Sequence, residues 1–454
     1  MIIRENITQN LNRMPNMLIQ FGVGNYKSFK DIVTFSMIAA PIKAKDKRLD
    51  ENNIFEVDDE LNLLKSTAIY GANASGKSNF IAAASFMKKF VLGSSKDTQA
   101  GEAIPVEHFR LNTETAHQPS FFEMVFIIDG HRYRYGFEVT SEKVVTEWLF
   151  HVPTIREAKL FERHDGKIEV TAAFKEGKEL IDKTRDNALF LSVAAQFNGT
   201  ISKKILQWFK HLGIISGLDD MDMRSFTVKT FDNNKYRDEI LRLVKKLDVG
   251  VEDIQLRKSP LTRPLPLTDK VPDEFKGLIE ELKKISSGSI SSIEHTDILT
   301  AHQKFNANGQ IAGVELFDID ENESEGTNKI FSMAGPLVDT LKNGEVLIVD
   351  ELDARLHPLV TRAIINLFNS KETNPQNAQL IFATHDTNLL SKDIFRRDQI
   401  WFAEKDKFSA THLYSLVEYK VRNDASFESD YIQGRYGAIP FIGNLSNLLE
   451  APDG

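Results

Sequence analysis

A glycine-rich run carries the most specific chemistry in this sequence. Residues 71–78 read GANASGKS and match the phosphate-binding pattern G-x-x-x-x-G-K-S. The lysine of this pattern is expected to reach the β- and γ-phosphates of a nucleotide, and its last hydroxyl, Ser78, to bind Mg²⁺. The alternative is a chance match in a structural turn, which the strand-like and helix-like segments on either side disfavour. The run predicts a site for ATP and Mg²⁺, and the residues expected to bind ATP are Gly71, Asn73, Gly76, Lys77 and Ser78.

Two carboxylates end a second informative run. Residues 346–351 read VLIVDE, and their four consecutive apolar side chains predict a buried parallel strand. The C-terminal end of such a strand lies at the ligand-binding edge of its sheet. Asp350 is expected to hold Mg²⁺, directly or through water, and Glu351 to polarise the attacking water as a catalytic residue. The alternative is a core strand that ends in solvated acids, which the glycine-rich run disfavours.

A shorter motif lies just before this strand. Residues 324–327 read SEGT and precede a helix-like segment. A serine and backbone amide groups at a helix N-terminus can bind an anion. Alone the motif is more often a helix cap, but its position shortly before the strand that ends at Asp350 favours an anion site at Ser324 and Gly326.

Two further candidate site residues lie shortly after apolar runs. Residues 379–383 read QLIFA and lead to His385, which can hydrogen-bond the γ-phosphate or the lytic water as a second catalytic residue. The alternative is a structural histidine. Asp353 lies in the run LDARLHP directly after Glu351.

The segments around these motifs indicate an α/β protein. Residues 66–70 are a short apolar strand that feeds the glycine-rich run, and residues 79–90 are typical of a helix. Between 121 and 140 two strand-like runs flank Asp129-Gly130, which predicts a β-hairpin. From 311 onward strand-like and helix-like segments alternate, as in a parallel-sheet protein.

Composition limits the class of protein. Hydrophobic residues make up 41% and charged residues 27% of the 454 residues, which is typical of a soluble globular chain. The net charge of -9 gives no support to DNA as a partner, which would require a local basic patch. The chain has no cysteine, no apolar run of about 18 residues and a polar start. We therefore expect a cytoplasmic protein without membrane contact.

The order of these motifs resembles that of the ABC-type ATPases of the RecF and SMC group. More closely it resembles the AAA-class ABC ATPases of bacterial phage defence, which include the OLD proteins, and among them the stand-alone AbiL-type abortive-infection ATPases and the AriA subunit of the PARIS system. Residues 25–31, 184–192 and 434–440 share in the resemblance, which covers nearly the whole chain outside one insert.

The resemblance implies an ABC-type, RecF/SMC-like P-loop ATPase fold with a mixed sheet, an antiparallel β-subdomain and a mainly helical insert. The corresponding domains are an N-terminal arm at 1–16, a first ATPase half with the P-loop and β-subdomain at 17–195, the insert at 196–300, and a second ATPase half with the remaining motifs at 301–454.

The resemblance also implies partners. ATPase domains of this group pair head to tail. Ser324 and Gly326 of one copy would then close over ATP on the glycine-rich run of another copy, residues 71–78, which we call the glycine loop. Asp353 would then communicate across the interface of a homo-oligomer. The γ-phosphate supplies the contacts that differ between open and closed states, which makes such a pair a switch.

Two absences narrow the expected function. Prolines within the insert break the long heptads of an SMC protein, and the residues after His385 are too few for the TOPRIM nuclease domain of an OLD protein. We therefore expect a sensor or regulatory ATPase of an anti-phage system, with a phage-encoded trigger and a separate TOPRIM-type nuclease as effector. The alternatives are a RecF-like DNA-repair ATPase that clamps duplex DNA, and a scaffold that binds ATP with negligible turnover.

Overall fold

The computed structural model of the chain describes residues 16–152, 156–218, 220–248, 250–260, 294–422 and 426–440. The predicted N-terminal arm lies outside the described residues except for Asn16. The chain forms two compact units. Unit 1 consists of Met1–Asp219 and Asp339–Gly454, and unit 2 consists of Asp220–Val338.

Strands and helices take the following bounds. The strands are β1 Met17–Gly24, β2 Val33–Ser36, β3 Ile54–Asp58, β4 Leu61–Leu64, β5 Ser66–Tyr70, β6 Ser120–Ile128, β7 His131–Val139, β8 Val144–Val152, β9 Ala158–His164, β10 Lys167–Val170, β11 Gly213–Ser216, β12 Asp253–Pro260, β13 Glu294–Phe305, β14 Ile311–Asp318, β15 Val346–Asp350, β16 Gln379–Ala383, β17 Ile400–Lys405 and β18 Thr411–Ser415. The helices are α1 Lys47–Asn52, α2 Lys77–Gly93, α3 Phe190–Gln196, α4 Thr200–His211, α5 Asp220–Asp232, α6 Arg237–Leu247, α7 Glu325–Asn343, α8 Pro358–Asn369 and α9 Phe427–Ile432.

Unit 1 contains an antiparallel sheet of seven strands in the order β10-β9-β8-β7-β6-β1-β2. The predicted hairpin at Asp129-Gly130 is confirmed, since it joins β6 and β7. Both residues have positive φ, 51° and 78°. This is the backbone that a two-residue turn needs to match the twist of the strands.

Unit 1 also contains a mixed sheet of six strands in the order β11-β15-β16-β5-β17-β18. Every neighbouring pair is parallel except β17 with β18. Strands β5 and β16 are buried along their whole length. This explains their continuous apolar runs, because a parallel strand is covered on both faces.

Helix α2 packs against both sheets. It contacts β1 in the seven-stranded sheet and β11 and β15 in the six-stranded sheet. Its Phe80 ring lies 5.2 Å from that of Phe21 and 5.3 Å from that of Phe35. The helix is buried on several faces, which is why its sequence lacks the one-sided apolar stripe of a surface helix.

A buried glutamine joins the two sheets directly. The Gln379 side chain on β16 accepts a hydrogen bond from the Leu18 backbone N–H at 2.7 Å. It donates to the carbonyl oxygens of Leu18 and Leu64, at 3.1 and 3.2 Å. Its polar atoms therefore satisfy backbone groups of β1 and β4.

A buried carboxylate starts helix α3. Glu147 on β8 accepts hydrogen bonds from the backbone N–H groups of Phe190 and Leu191, at 2.6 and 3.0 Å, and from the Tyr135 hydroxyl at 3.0 Å. Burial raises the pKa of Glu147. The stretch 184–192, which carries part of the family resemblance, thus contributes a packed helix start.

The second compact unit differs in extent from the predicted insert at 196–300. Helix α4 and strand β11 fall within the predicted range but belong to unit 1. The reason is apolar burial: Ile205, Trp208 and Phe209 of α4 lie in the core of unit 1. Unit 2 contains helices α5 and α6, most of α7 and the antiparallel sheet β12-β13-β14. The sequence did not predict this sheet.

The predicted fold class is confirmed. The chain is an α/β protein, with a mixed sheet behind the glycine loop and an antiparallel β-subdomain in the same unit. Within the described ranges, each helix is too short or too polar to cross a bilayer.

Candidate active site

The glycine loop connects β5 to α2 as the sequence predicts. Its backbone enters the left-handed region at Ala74, with φ 60°, and at Gly76, with φ 113°. A Cβ atom on Gly76 would lie 2.7 Å from the Thr411 methyl carbon and 3.0 Å from the Ser28 hydroxyl oxygen. A Cβ on Gly71 would clash with the Ala403 carbonyl oxygen. Glycine is therefore required at both positions. At Gly71 a side chain would have no room, and at Gly76 it would have no room and would also need an unfavourable positive φ.

Lys77 lies folded over the loop. Its side chain is buried, and its ammonium donates to the carbonyl oxygens of Gly71 and Ala72, at 2.8 and 3.1 Å. Burial lowers the pKa of Lys77 to about 8, while the carboxylates of Asp350 and Glu351 act in the opposite direction. The ammonium is thus held in the glycine loop, where the charges of Asp350 and Glu351 act on it.

The predicted site residues of unit 1 meet at one edge of the six-stranded sheet. Strand β5 pairs in parallel with β16, and β16 pairs in parallel with β15. The glycine loop, Asp350 and His385 therefore follow the C-terminal ends of three neighbouring strands, where ligands of open α/β sheets bind.

His385 experiences the charges of the other residues at this edge. Burial and the Lys77 ammonium lower its pKa, and Asp353, Glu351 and Asp350 raise it in part. The net lowering keeps the imidazole neutral at neutral pH. A neutral imidazole can both accept and donate a hydrogen bond, as the predicted role beside a phosphate or water requires.

The backbone at Glu351 is strained. Its φ of 51° lies in the left-handed region, which is uncommon for a residue other than glycine, asparagine or aspartate. Gly217, directly after β11, donates its backbone N–H to the Asp350 carbonyl oxygen at 2.5 Å. A Cβ on Gly217 would lie 2.6 Å from that oxygen and would overlap the Glu351 carbonyl. Strain of this kind is concentrated at functional sites, and the sequence did not single out Gly217.

The acids at this edge fit a magnesium ion. One carboxylate oxygen of Asp350 is buried and has no hydrogen-bond partner among the described residues. A buried oxygen without a partner is costly unless a cation or water meets it. The Ser78 side chain at the start of α2 is exposed. Carboxylate and hydroxyl oxygens are hard donors, and Mg²⁺ is held by one or two of them together with substrate phosphates.

Comparison with known proteins identifies the family. A family model described as "AAA domain, putative AbiEii toxin, Type IV TA system" matches residues 66–391, well over half of the chain. The chain belongs to this AAA family. The matched range includes every predicted site residue, from Gly71 to His385.

Solved structures give remote likenesses to this AAA protein. The SMC head domain from Thermotoga maritima has 13% identity and a TM-score of 0.37, covering 88% of this chain and 98% of its own. An SmcHead bound to the C-winged helix domain of ScpA has 13% identity and a TM-score of 0.38, with coverages of 88% and 97%. An Smc head domain with an extended coiled coil bound to the C-terminal domain of ScpA, from Pyrococcus furiosus, has 12% identity, a TM-score of 0.38 and coverages of 93% and 99%. No curated protein matches.

The run after Glu351 forms tight turns in the AAA domain. Ala354 donates its backbone N–H to the Glu351 carbonyl, and Leu356 donates to that of Asp353, both at 3.1 Å. The His357 ring accepts from the backbone N–H of Leu359 at 3.2 Å and so caps helix α8. One Asp353 oxygen is buried without a partner among the described residues. Its predicted interface role stays a prediction.

Ser324 and Gly326 belong to unit 2, whereas the other predicted site residues belong to unit 1. The Ser324 hydroxyl accepts the backbone N–H of Thr327 at 3.1 Å, and the side chain is exposed at the start of α7. Ser324 is therefore a helix cap, as the alternative interpretation held. The predicted contact with ATP on another copy stays a prediction.

Two residues that the sequence motifs did not select also hold the glycine loop. Ser28 lies in the stretch 25–31, which is part of the family resemblance, and Thr411 begins β18. The Thr411 hydroxyl lies 2.9 Å from the Ser75 carbonyl oxygen and 2.8 Å from the Ser28 hydroxyl. No sequence signal marks Thr411, because its place is set by the pairing of β18 with β17.

Proposed function

We propose that this AAA protein binds and hydrolyses ATP, and that it is the sensor or regulatory subunit of an anti-phage defence system. In this role it controls a separate toxic nuclease of the TOPRIM type through ATP-dependent assembly in the cytoplasm. The observation that carries the proposal is the meeting of the glycine loop with Asp350, Glu351 and His385 at one sheet edge.

The chain's own residues suit phosphoryl transfer to water. Backbone N–H groups of the loop and the Lys77 ammonium stabilise phosphate charge. Glu351, with its backbone fixed in the left-handed region, orients and polarises the attacking water. Neutral His385 hydrogen-bonds the γ-phosphate or that water. Mg²⁺, when held by Ser78 and Asp350, would supply further neutralisation of phosphate charge.

Turnover is tested with one charge-removing substitution. We expect Glu351→Gln to lower the rate of ATP hydrolysis by about 10²-fold or more, since general-base catalysis is worth this much, while ATP binding is kept. The matched control is Glu372→Gln, an exposed acid outside the site, which should leave the rate unchanged. Equal rates for Glu351→Gln and the parent would exclude the role of Glu351. A parent without turnover would favour the scaffold.

The predicted head-to-tail pairing has a separate test. If Lys77 of one copy and Ser324 of another form each site, a mixture of Lys77→Ala and Ser324→Ala variants rebuilds one intact site in every mixed pair. Random exchange makes half of the pairs mixed, so the mixture should recover about a quarter of parent activity. A mixture no more active than its components would reject the shared site.

The defence role is supported by the family description, which names a putative toxin of a type IV toxin–antitoxin system. We expect the product of the neighbouring gene to copurify with this chain. Cells that carry both genes should form fewer phage plaques than cells that carry a Lys77→Ala variant. Absence of a partner together with unchanged plaque counts would reject this role. Salt-sensitive DNA binding that ATP strengthens would instead favour the RecF-like alternative.

A further inference from the structure

A chain of polar side chains links three separate segments at the glycine loop. The Asn79 amide of α2 donates to the Ser28 hydroxyl at 2.7 Å. The Ser28 and Thr411 hydroxyl oxygens lie 2.8 Å apart, and the Thr411 hydroxyl lies 2.9 Å from the Ser75 carbonyl oxygen. The Thr411 backbone N–H also donates to the Ser28 carbonyl oxygen at 2.7 Å.

The Thr411 hydroxyl is the donor at the centre of this chain. It lies within donating distance of both the Ser28 hydroxyl oxygen and the Ser75 carbonyl oxygen, and it has one proton to share between them. The Ser28 oxygen, which also accepts from the Asn79 amide, holds the Thr411 hydroxyl beside the Ser75 carbonyl. Ser28 and Thr411 are 6% and 2% exposed, so water does not readily replace either bond.

This bond to Ser75 fixes the next peptide group. In a trans peptide the carbonyl oxygen and the following N–H point in opposite directions. Holding the Ser75 carbonyl towards Thr411 therefore turns the Gly76 N–H the other way. Gly76 itself is packed so closely against Thr411 and Ser28 that a Cβ would not fit. The loop is thus held by hydrogen bonds and by contact at the same point.

We propose that Ser28 and Thr411 are positioning residues that hold the glycine loop in its phosphate-binding conformation and so set the affinity for ATP. This inference rests on the proposed function, because it assumes that ATP binds to the loop. Without the Thr411 hydroxyl the loop samples other conformations, and the measured Kd rises in proportion to the loss of the competent one.

The test compares isosteric threonine variants. Thr411→Val removes only the hydroxyl, and Thr411→Ser keeps it. Thr361→Val is the matched control, since Thr361 is fully buried and its hydroxyl has no hydrogen-bond partner among the described residues. A fluorescent ATP analogue is titrated into each full-length protein, and the melting temperature is measured without nucleotide.

We expect Thr411→Val to raise the Kd about tenfold, which corresponds to about 1.4 kcal/mol, with Thr411→Ser and Thr361→Val within about twofold of the parent. If Thr411→Val does not fold, Ser28→Ala breaks the same chain at its middle and should raise the Kd similarly. Equal Kd values for the folded Thr411 or Ser28 variant and for Thr361→Val would overturn the inference alone. A parent that does not bind the analogue would overturn the proposed function as well.

Discussion

Replacing Lys77 by methionine separates the stability of the fold from its activity. The Lys77 ammonium is buried against the glycine loop and donates two hydrogen bonds to backbone carbonyl oxygens. Methionine has nearly the same length without charge. The free protein should therefore lose ATP binding and yet be at least as stable as the parent at neutral pH.

The magnitude follows from the pKa of Lys77, which burial lowers from 10.5 to about 8. Each pK unit is 1.36 kcal/mol, so keeping the charge in the folded state costs about 3 kcal/mol. The two hydrogen bonds return about 1 kcal/mol each. The cost is fully present below pH 8 and disappears between pH 8 and 10.5, where the unfolded chain binds a proton that the folded chain has released. The free energy of unfolding of the parent should therefore rise by about 2 kcal/mol relative to the variant from pH 7 to about pH 9.5.

Denaturant titration followed by tryptophan fluorescence measures this difference. The three tryptophans, Trp148, Trp208 and Trp401, all lie in unit 1 with Lys77, so the signal reports the unfolding of that unit. Other groups that titrate in this range, such as Lys65, cancel in the comparison because both proteins contain them. Parallel pH profiles for parent and variant would refute the assigned burial of a charged Lys77.

Three further substitutions test the geometry of the site and its support. Gly76→Ala should abolish ATP binding with the fold retained, measured by nucleotide titration and circular dichroism, because its Cβ would meet Thr411 and Ser28; normal binding would contradict the crowding. Gly217→Ala should lower turnover more than binding, measured as kcat against KM, because its Cβ would overlap the Glu351 carbonyl oxygen; an unchanged kcat would show that Glu351 does not depend on this packing. Gln379→Leu should destabilise unit 1 by about 3 kcal/mol in denaturant titration, because it removes three buried hydrogen bonds to backbone groups of β1 and β4; a loss under 1 kcal/mol would contradict the contribution of these bonds.

The predicted site residues of unit 1 could be selected from the sequence because each lies in or next to a short motif. Each predicted residue of unit 1 follows an apolar strand within a few positions, and parallel strands of one sheet end at one edge. The strand at 66–70, the hairpin at Asp129-Gly130 and the acids after 346–349 needed no long-range information.

The supporting contacts were not predictable because they join distant segments. Ser28 and Thr411 are separated by 383 positions, and neither belongs to a motif with chemistry of its own. Gly217 matters only because β11 pairs with β15, and single-sequence periodicity does not specify which strands pair. The sheet of unit 2 was missed for a similar reason, since single-sequence periodicity does not specify that β12, β13 and β14 pair, and β14 is largely exposed.

The strand order of the six-stranded sheet has a consequence for the growing chain. Strand β5 lies between β16 and β17, which are synthesised more than 300 residues later. The strands of the seven-stranded sheet all precede residue 171, so that sheet can pair early, while β5, which leads into the glycine loop, has no neighbouring strand until β16 and β17 have left the ribosome. A truncated chain that ends before β16 therefore exposes β5 with both edges unpaired. Only a chain that has been made through β17 can therefore hold β5 between its two neighbouring strands, with the glycine loop at the edge of a paired sheet.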